Sequence, residues 1–116
     1  MISVENATFA LAASLVDRSW ELIADGWVKG RMNTKVNGAL RRFCILGALD
    51  LALEEVFGSA SHRNNDALQV AQTFILDEAN NQFRYNSNSI PGFNDPANRT
   101  HDQVLSVLKE AGRQLD

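Results

Sequence analysis

The chain has a single cysteine, Cys44, so no disulfide can form within it. A lone thiol inside an apolar run points to a buried, reduced residue and a cytoplasmic setting. Basic charge is not in surplus. Eleven Lys and Arg stand against 14 Asp and Glu, a net charge of −3, and a dedicated nucleic-acid binder usually carries the opposite balance. No apolar stretch approaches the roughly 20 residues that span a bilayer. Near the start Glu5 comes early and no basic residue precedes Ala10, whereas a signal peptide puts positive charge first. The expectation is a soluble, cytoplasmic protein without membrane contact. Repeats and low-complexity tracts are also missing.

Catalytic and metal signatures are equally sparse. The two histidines, His62 and His101, have no second His or Cys at a ligand spacing, and neither a His-Glu-x-x-His helix nor a calcium loop of alternating acids occurs. There is no Gly-x-Ser-x-Gly elbow, and "GALDLALEEVFG" lacks the glycine pattern that cradles phosphate. Asp50, Glu54 and Glu55 share a helical face, as solvated acids or partners of basic residues commonly do. No catalytic residue, metal or cofactor is expected.

What is present is a chain of 116 residues, 45% apolar, enough for one domain spanning 1–116 with a single core. Phe9, Ala12, Ala13, Val16, Trp20 and Ile23 recur at helical spacing and predict a first helix over Val4–Asp25, widened by Leu11, Leu15 and Leu22. "ADGW" ends it, with Gly26 suited to a left-handed cap and Trp27 folding back onto the last turn. Residues 28–38 have no period, but Asn37-Gly38 is a turn signal compatible with a short β-ribbon. A second helix is expected over about Ala39–Phe57, apolar on nearly every side and so central to a bundle. Cys44, Gly47 and Ala48 form a small-residue strip on it, where a neighbouring helix can come close. A third helix is expected over about Asp66–Tyr85, buried through Leu68, Ala71, Phe74, Ile75, Ala79 and Phe83. Loops fall at about 26–38, 57–65 and 86–99. Thr100 and Gln103 form a capping box that opens the last helix, with His101 and Asp102 in its first turn. The fold expected is an all-α, single-domain compact bundle of about four helices, with a short β-ribbon between the first two.

Two segments carry unusual polarity. Lys29, Arg31, Lys35, Arg41 and Arg42 fall between Val28 and Arg42 with no acid among them. Arg41 and Arg42 would sit near a helix start, where the dipole is unfavourable to cations. Their partners are acids of the same domain, an acidic protein surface or, less suitably for a patch with no interleaved aromatic, a nucleic-acid backbone. The second segment is "GFNDPANRTHDQV". Asp95 precedes proline and is biased toward extended backbone. Asn94 and Asp95 can bond nearby amides in an Asx turn, Arg99 can pair with Asp95, and Phe93 can pin the loop to the core. The stretch serves either as a rigid helix entry or as a recognition cluster of Asn94, Asp95 and Arg99. As a helix entry, loss of one hydrogen bond costs about 1 kcal/mol.

Three pieces in order, "ELIADGWVKG", "RRFCILGALDLA" and "FNDPANRTHDQVLSVLKEA", give the chain a pattern of Gly-Trp, Cys-x-x-Gly-Ala-Leu, and aromatic-Asn-Asp followed by Arg-Thr. It resembles a family of small uncharacterised domains found in bacteria and their phages, departing from it with Phe93 where Trp is commoner. The resemblance marks Trp27, Cys44, Gly47, Ala48, Leu49, Asn94, Asp95, Arg99 and Thr100 as pattern positions, and it implies no activity. The first functional expectation is therefore a non-enzymatic binding or regulatory module acting by protein contact. A homodimer and a phage-encoded inhibitor or accessory protein are two forms of it. The alternative is a small-molecule binder or low-motif enzyme using Asn94, Asp95 and Arg99. The third is weak nucleic-acid binding through the basic segment.

Overall fold

The long apolar stripe near the N-terminus does form one helix: in a computed structural model, which describes residues 4–58, 65–83 and 89–116, α1 runs over Val4–Asp25. It is followed by β1 (Asn33–Val36), β2 (Ala39–Phe43), α2 (Ile45–Phe57), α3 (Asn65–Phe83), α4 (Ile90–Asn94) and α5 (His101–Leu115). The fold is a helical bundle with a two-stranded antiparallel ribbon between α1 and α2. α1 packs against α2, α3 and α5, so it is the hub of the bundle; α2, for which the apolar run predicts that place, packs on α1, α4 and β2.

The core is built from side chains that every helix sends inward: Leu15, Val16 and Ile23 from α1, Ile45 and Leu49 from α2, Ile75 from α3, Phe93 from α4, and Val104, Val107 and Leu108 from α5. Each such side chain contributes roughly 1.5–3 kcal/mol on burial. No helix among the described residues is long and apolar enough to cross a membrane. His62 and Tyr85 lie outside the described residues.

The ribbon turns through Asn37 (φ 54°) and Gly38 (φ 82°), both left-handed, as a two-residue hairpin turn with the twist of its strands requires. Its second strand occupies residues expected to be helical. Val36 pairs with Ala39 and Lys35 with Leu40, but Thr34 pairs with Arg42, so Arg41 is an extra bulge residue. That bulge breaks the period-2 alternation of "ALRRF" and hides the strand. Arg41 and Arg42 therefore sit on a strand ahead of α2, not in the first turn of a helix. α2 begins at Ile45, and Cys44 is its N-cap, accepting at Sγ from the Gly47 amide at 3.3 Å.

Gly47 does mark a close approach, though not by a helix. A Cβ there would land on the Met32 carbonyl, in the lead-in to β1. Gly26 likewise is not left-handed; its missing side chain admits the Arg41 carbonyl. α4 falls within an expected loop. Its five residues are too few for periodicity, but Ser89 caps it by accepting from the Gly92 amide at 3.1 Å, and Pro91 stands in its first turn. The Thr100–Gln103 capping box forms as expected.

Candidate functional site

The polar residues near the C-terminus meet the segment after α1 at the start of α2. Asn94, the last residue of α4, is 1% exposed. Its Oδ1 accepts from Trp27 Nε1 at 2.9 Å and from the Ile45 amide at 3.2 Å. Its Nδ2 donates to the Val28 carbonyl at 3.1 Å and to Asp95 Oδ1 at 2.9 Å. An amide has two donors and two acceptor sites, so Asn94 is saturated by the protein itself. Burial without those partners would be costly; with them, one side chain ties α1's exit, α2's first turn and α4 together.

The neighbours extend this clasp. Asp95 caps α4 with φ −94° and ψ −16°, in the helical region and not the extended one expected before proline. Its amide is held by the Pro91 carbonyl, and its carboxylate accepts from the Gly30 amide at 3.0 Å. Arg99 lies over the Phe93 ring at 4.1 Å and the Phe83 ring at 5.2 Å. Its Nε donates to the Phe93 carbonyl at 2.8 Å and its Nη1 to Gln103 Oε1 at 3.3 Å. His101 stacks on Trp27 with ring centroids 5.7 Å apart. Its Nε2 bonds the Ile23 carbonyl at 2.6 Å, and since a carbonyl only accepts, that nitrogen carries the proton.

The basic segment divides. Lys29 belongs to the clasp: its Nζ donates to the Pro96 and Ala97 carbonyls at 2.8 and 3.1 Å and lies 5.2 Å from the centre of the Trp27 ring. Arg31, Lys35, Arg41 and Arg42 are exposed, and among the described residues none makes an ion pair. Arg41 lines a groove of about 530 Å³ with Glu21, Asp25 and Glu55, where Arg18 already bridges α1 to α2 by a two-pronged contact with Glu55 at 2.8 and 3.1 Å.

Beside the clasp opens a pocket of about 210 Å³, lined by Met32, Cys44, Leu46, Ile90 and Pro91 with Asn94, Asp95, Gly30 and Arg31 at its polar side. Asn94 and Asp95 thus do border a cavity; Arg99 is not among its lining residues. Met32, Leu46, Ile90 and Pro91 had no local signal beyond hydrophobicity, because they come together only through the ribbon and α4. The Cys44 thiol is pushed up from its ordinary pKa, mainly by burial, against the opposing effect of the Gly47 and Leu46 amides. It stays protonated and is a poor nucleophile. Among the described residues no group of three or more His, Cys, Asp or Glu side chains is placed to hold a metal ion.

The geometry defines a small helical domain whose two polar segments are clasped around the first turn of one helix. The chain belongs to the family of unknown function DUF6197, whose model matches residues 7–114. No curated protein and no solved structure matches it.

Proposed function

We propose that the chain is a non-enzymatic binding module that acts through contact with a protein partner, with the β1–β2 ribbon as its contact surface. The observation that carries this reading is a contrast in how polar groups are used. Asn94, Asp95, Arg99 and Lys29 make bonds inside the domain, whereas Arg31, Lys35 and Arg42 project from an acid-free ribbon without an ion-pair partner among the described residues. Cations so placed steer and orient an acidic surface more than they stabilise the fold. The test is a double charge reversal, Lys35→Glu with Arg42→Glu, in the full chain. The reversed protein is expected to unfold at the parent's urea midpoint while losing the partner that the parent captures from its source cell. Equal capture by the two proteins would refute the reading.

A second reading is supported by the pocket beside Asp95: a small, largely apolar ligand bearing a group that bonds a carboxylate. Native mass spectrometry of gently purified protein distinguishes it, since a discrete small-molecule adduct that is lost in Asp95→Ala favours the pocket over the ribbon.

A further inference from the structure

The outer edge of β1 is an open hydrogen-bonding edge. Phe43 donates its N–H to the Gly26 carbonyl and accepts from the Val28 amide, at 3.0 and 3.1 Å. Its backbone therefore faces away from β1, and the antiparallel pair Asn33–Phe43 is of the non-hydrogen-bonded kind. It follows that the N–H and C=O of Asn33 point to the opposite edge of the ribbon. Val36 and Ala39 close the two-residue turn as a hydrogen-bonded pair, so the next pair, Lys35–Leu40, is again non-hydrogen-bonded, and the backbone of Lys35 also points outward. Asn33 and Lys35 are exposed, β1 has substantial packing only against β2, and among the described residues nothing bonds this edge.

Two further features lie along it. Arg31 and Lys35 flank Asn33. Met32, the residue before the strand and 45% exposed, lines the pocket of about 210 Å³ whose other apolar walls are Leu46, Ile90 and Pro91. An open edge invites a second strand, and the charges select which one. A second copy of this chain would set Lys35 and Arg31 beside their own counterparts, and like charges across a ladder are destabilising.

We infer that β1 is the docking edge for an extended acidic segment of a partner protein, which adds as a third strand and seats one apolar side chain in the pocket beside Met32. This inference rests on the ribbon being the contact surface. Backbone bonds to Asn33 and Lys35 hold the segment, its acidic side chains meet Arg31 and Lys35, and the pocket sets its register.

A displayed library of random linear peptides, selected on the immobilised full chain at low salt, provides the probe; enriched peptides are then synthesised and their binding measured by fluorescence anisotropy. The expected winners alternate acidic with β-branched or aromatic residues and carry one aliphatic residue at an end. Two perturbations address the backbone. Asn33→Pro removes an outward N–H without removing a ladder bond, a position where a strand tolerates proline, and N-methylation of alternate peptide residues removes the matching donors. Each is expected to weaken binding about tenfold per lost bond. If Asn33→Pro does not fold, as judged by circular dichroism, the N-methylated peptides decide alone. Acidic peptides that bind equally well after both changes overturn strand addition and leave the ribbon as a side-chain contact surface. Peptides indifferent to Lys35→Glu with Arg42→Glu overturn this inference and the proposed function together. Failure to enrich acidic peptides overturns strand addition, as does preferential, steeply salt-dependent binding of duplex DNA.

Discussion

Replacing Asn94 by alanine should be among the most damaging polar substitutions in this domain. The change strands four partners at once: Trp27 Nε1, the Ile45 amide, the Val28 carbonyl and one bond to Asp95. A buried polar group left without a partner costs about 1–3 kcal/mol. Counting the buried Ile45 amide in the middle of that range, and the half-buried Trp27 and Val28 groups near its lower end because water can reach them, gives about 4 kcal/mol. A domain of this size has about 5–15 kcal/mol in total, so the loss is a large share of it. With a urea slope near 2 kcal/mol per molar, the unfolding midpoint falls by about 2 M. Asn94→Asp provides an internal control. It keeps the oxygen that receives Trp27 and Ile45 but replaces the donor with a second oxygen facing the Val28 carbonyl and the Asp95 carboxylate. The introduced carboxyl is then held above its ordinary pKa when folded. Its penalty is therefore full at neutral pH and relieved as pH falls through that raised value, because the folded state then takes up a proton before the unfolded one does. Urea titrations followed by tryptophan fluorescence should show Asn94→Ala impaired at every pH and Asn94→Asp recovering toward pH 4. An Asn94→Ala unfolding free energy within about 0.5 kcal/mol of the parent's, the range of an ordinary surface change, would refute the clasp as a stabilising structure.

Other perturbations test separate parts of the same frame. Gly47→Ala places a methyl group on the Met32 carbonyl; since backbone must give way, a loss of about 2–3 kcal/mol in the urea titration is expected, and a neutral result would deny the close approach of ribbon and α2. Cys44, buried and protonated, should react with iodoacetamide at pH 8 at least about tenfold more slowly in the folded protein than in denaturant; equal rates would show an exposed thiol. Arg18→Met should flatten the acid limb of stability. The hydrogen bond from Arg18 holds the Glu55 carboxyl below its ordinary pKa, so this contact's contribution is present above the ordinary carboxylate value and lost as pH falls through the lowered folded one. With side-chain exposures of 42% and 40%, solvent screening limits it to about 0.5 kcal/mol, and thermal melts across that range at low and high salt would detect it.

The parts of this fold that were legible in the sequence are those whose rules are local. The α1 stripe repeats over 22 residues, and the Thr100–Gln103 box bonds across three positions, so both ends of the bundle follow from spacing alone. The ribbon itself was legible from Asn37-Gly38, but the extent of β2 was not, because the Arg41 bulge interrupts its alternation and the apolar run from Phe43 onward reads equally well as a helix. α4 was hidden by its length. The clasp shows the limit most clearly: Asn94, Asp95 and Arg99 stand out in the sequence, but the roles it offers them are a local helix entry or a recognition cluster. Their actual partners include Trp27 and Ile45, 67 and 49 positions away from Asn94, and only the folded chain brings those together. Lys29 makes the same point from the other direction. It belongs to the basic segment, a candidate site separate from the Asn94 loop, yet it holds the carbonyls of Pro96 and Ala97 within that loop. Through Lys29, one end of the basic segment and the Asn94 loop thus form one internal structure. What this structure leaves over is charge without an ion-pair partner among the described residues, Arg31 just before the ribbon and Lys35 and Arg42 on it, and the proposed contact surface rests on that charge together with the outer edge of β1, which carries no bond among the described residues.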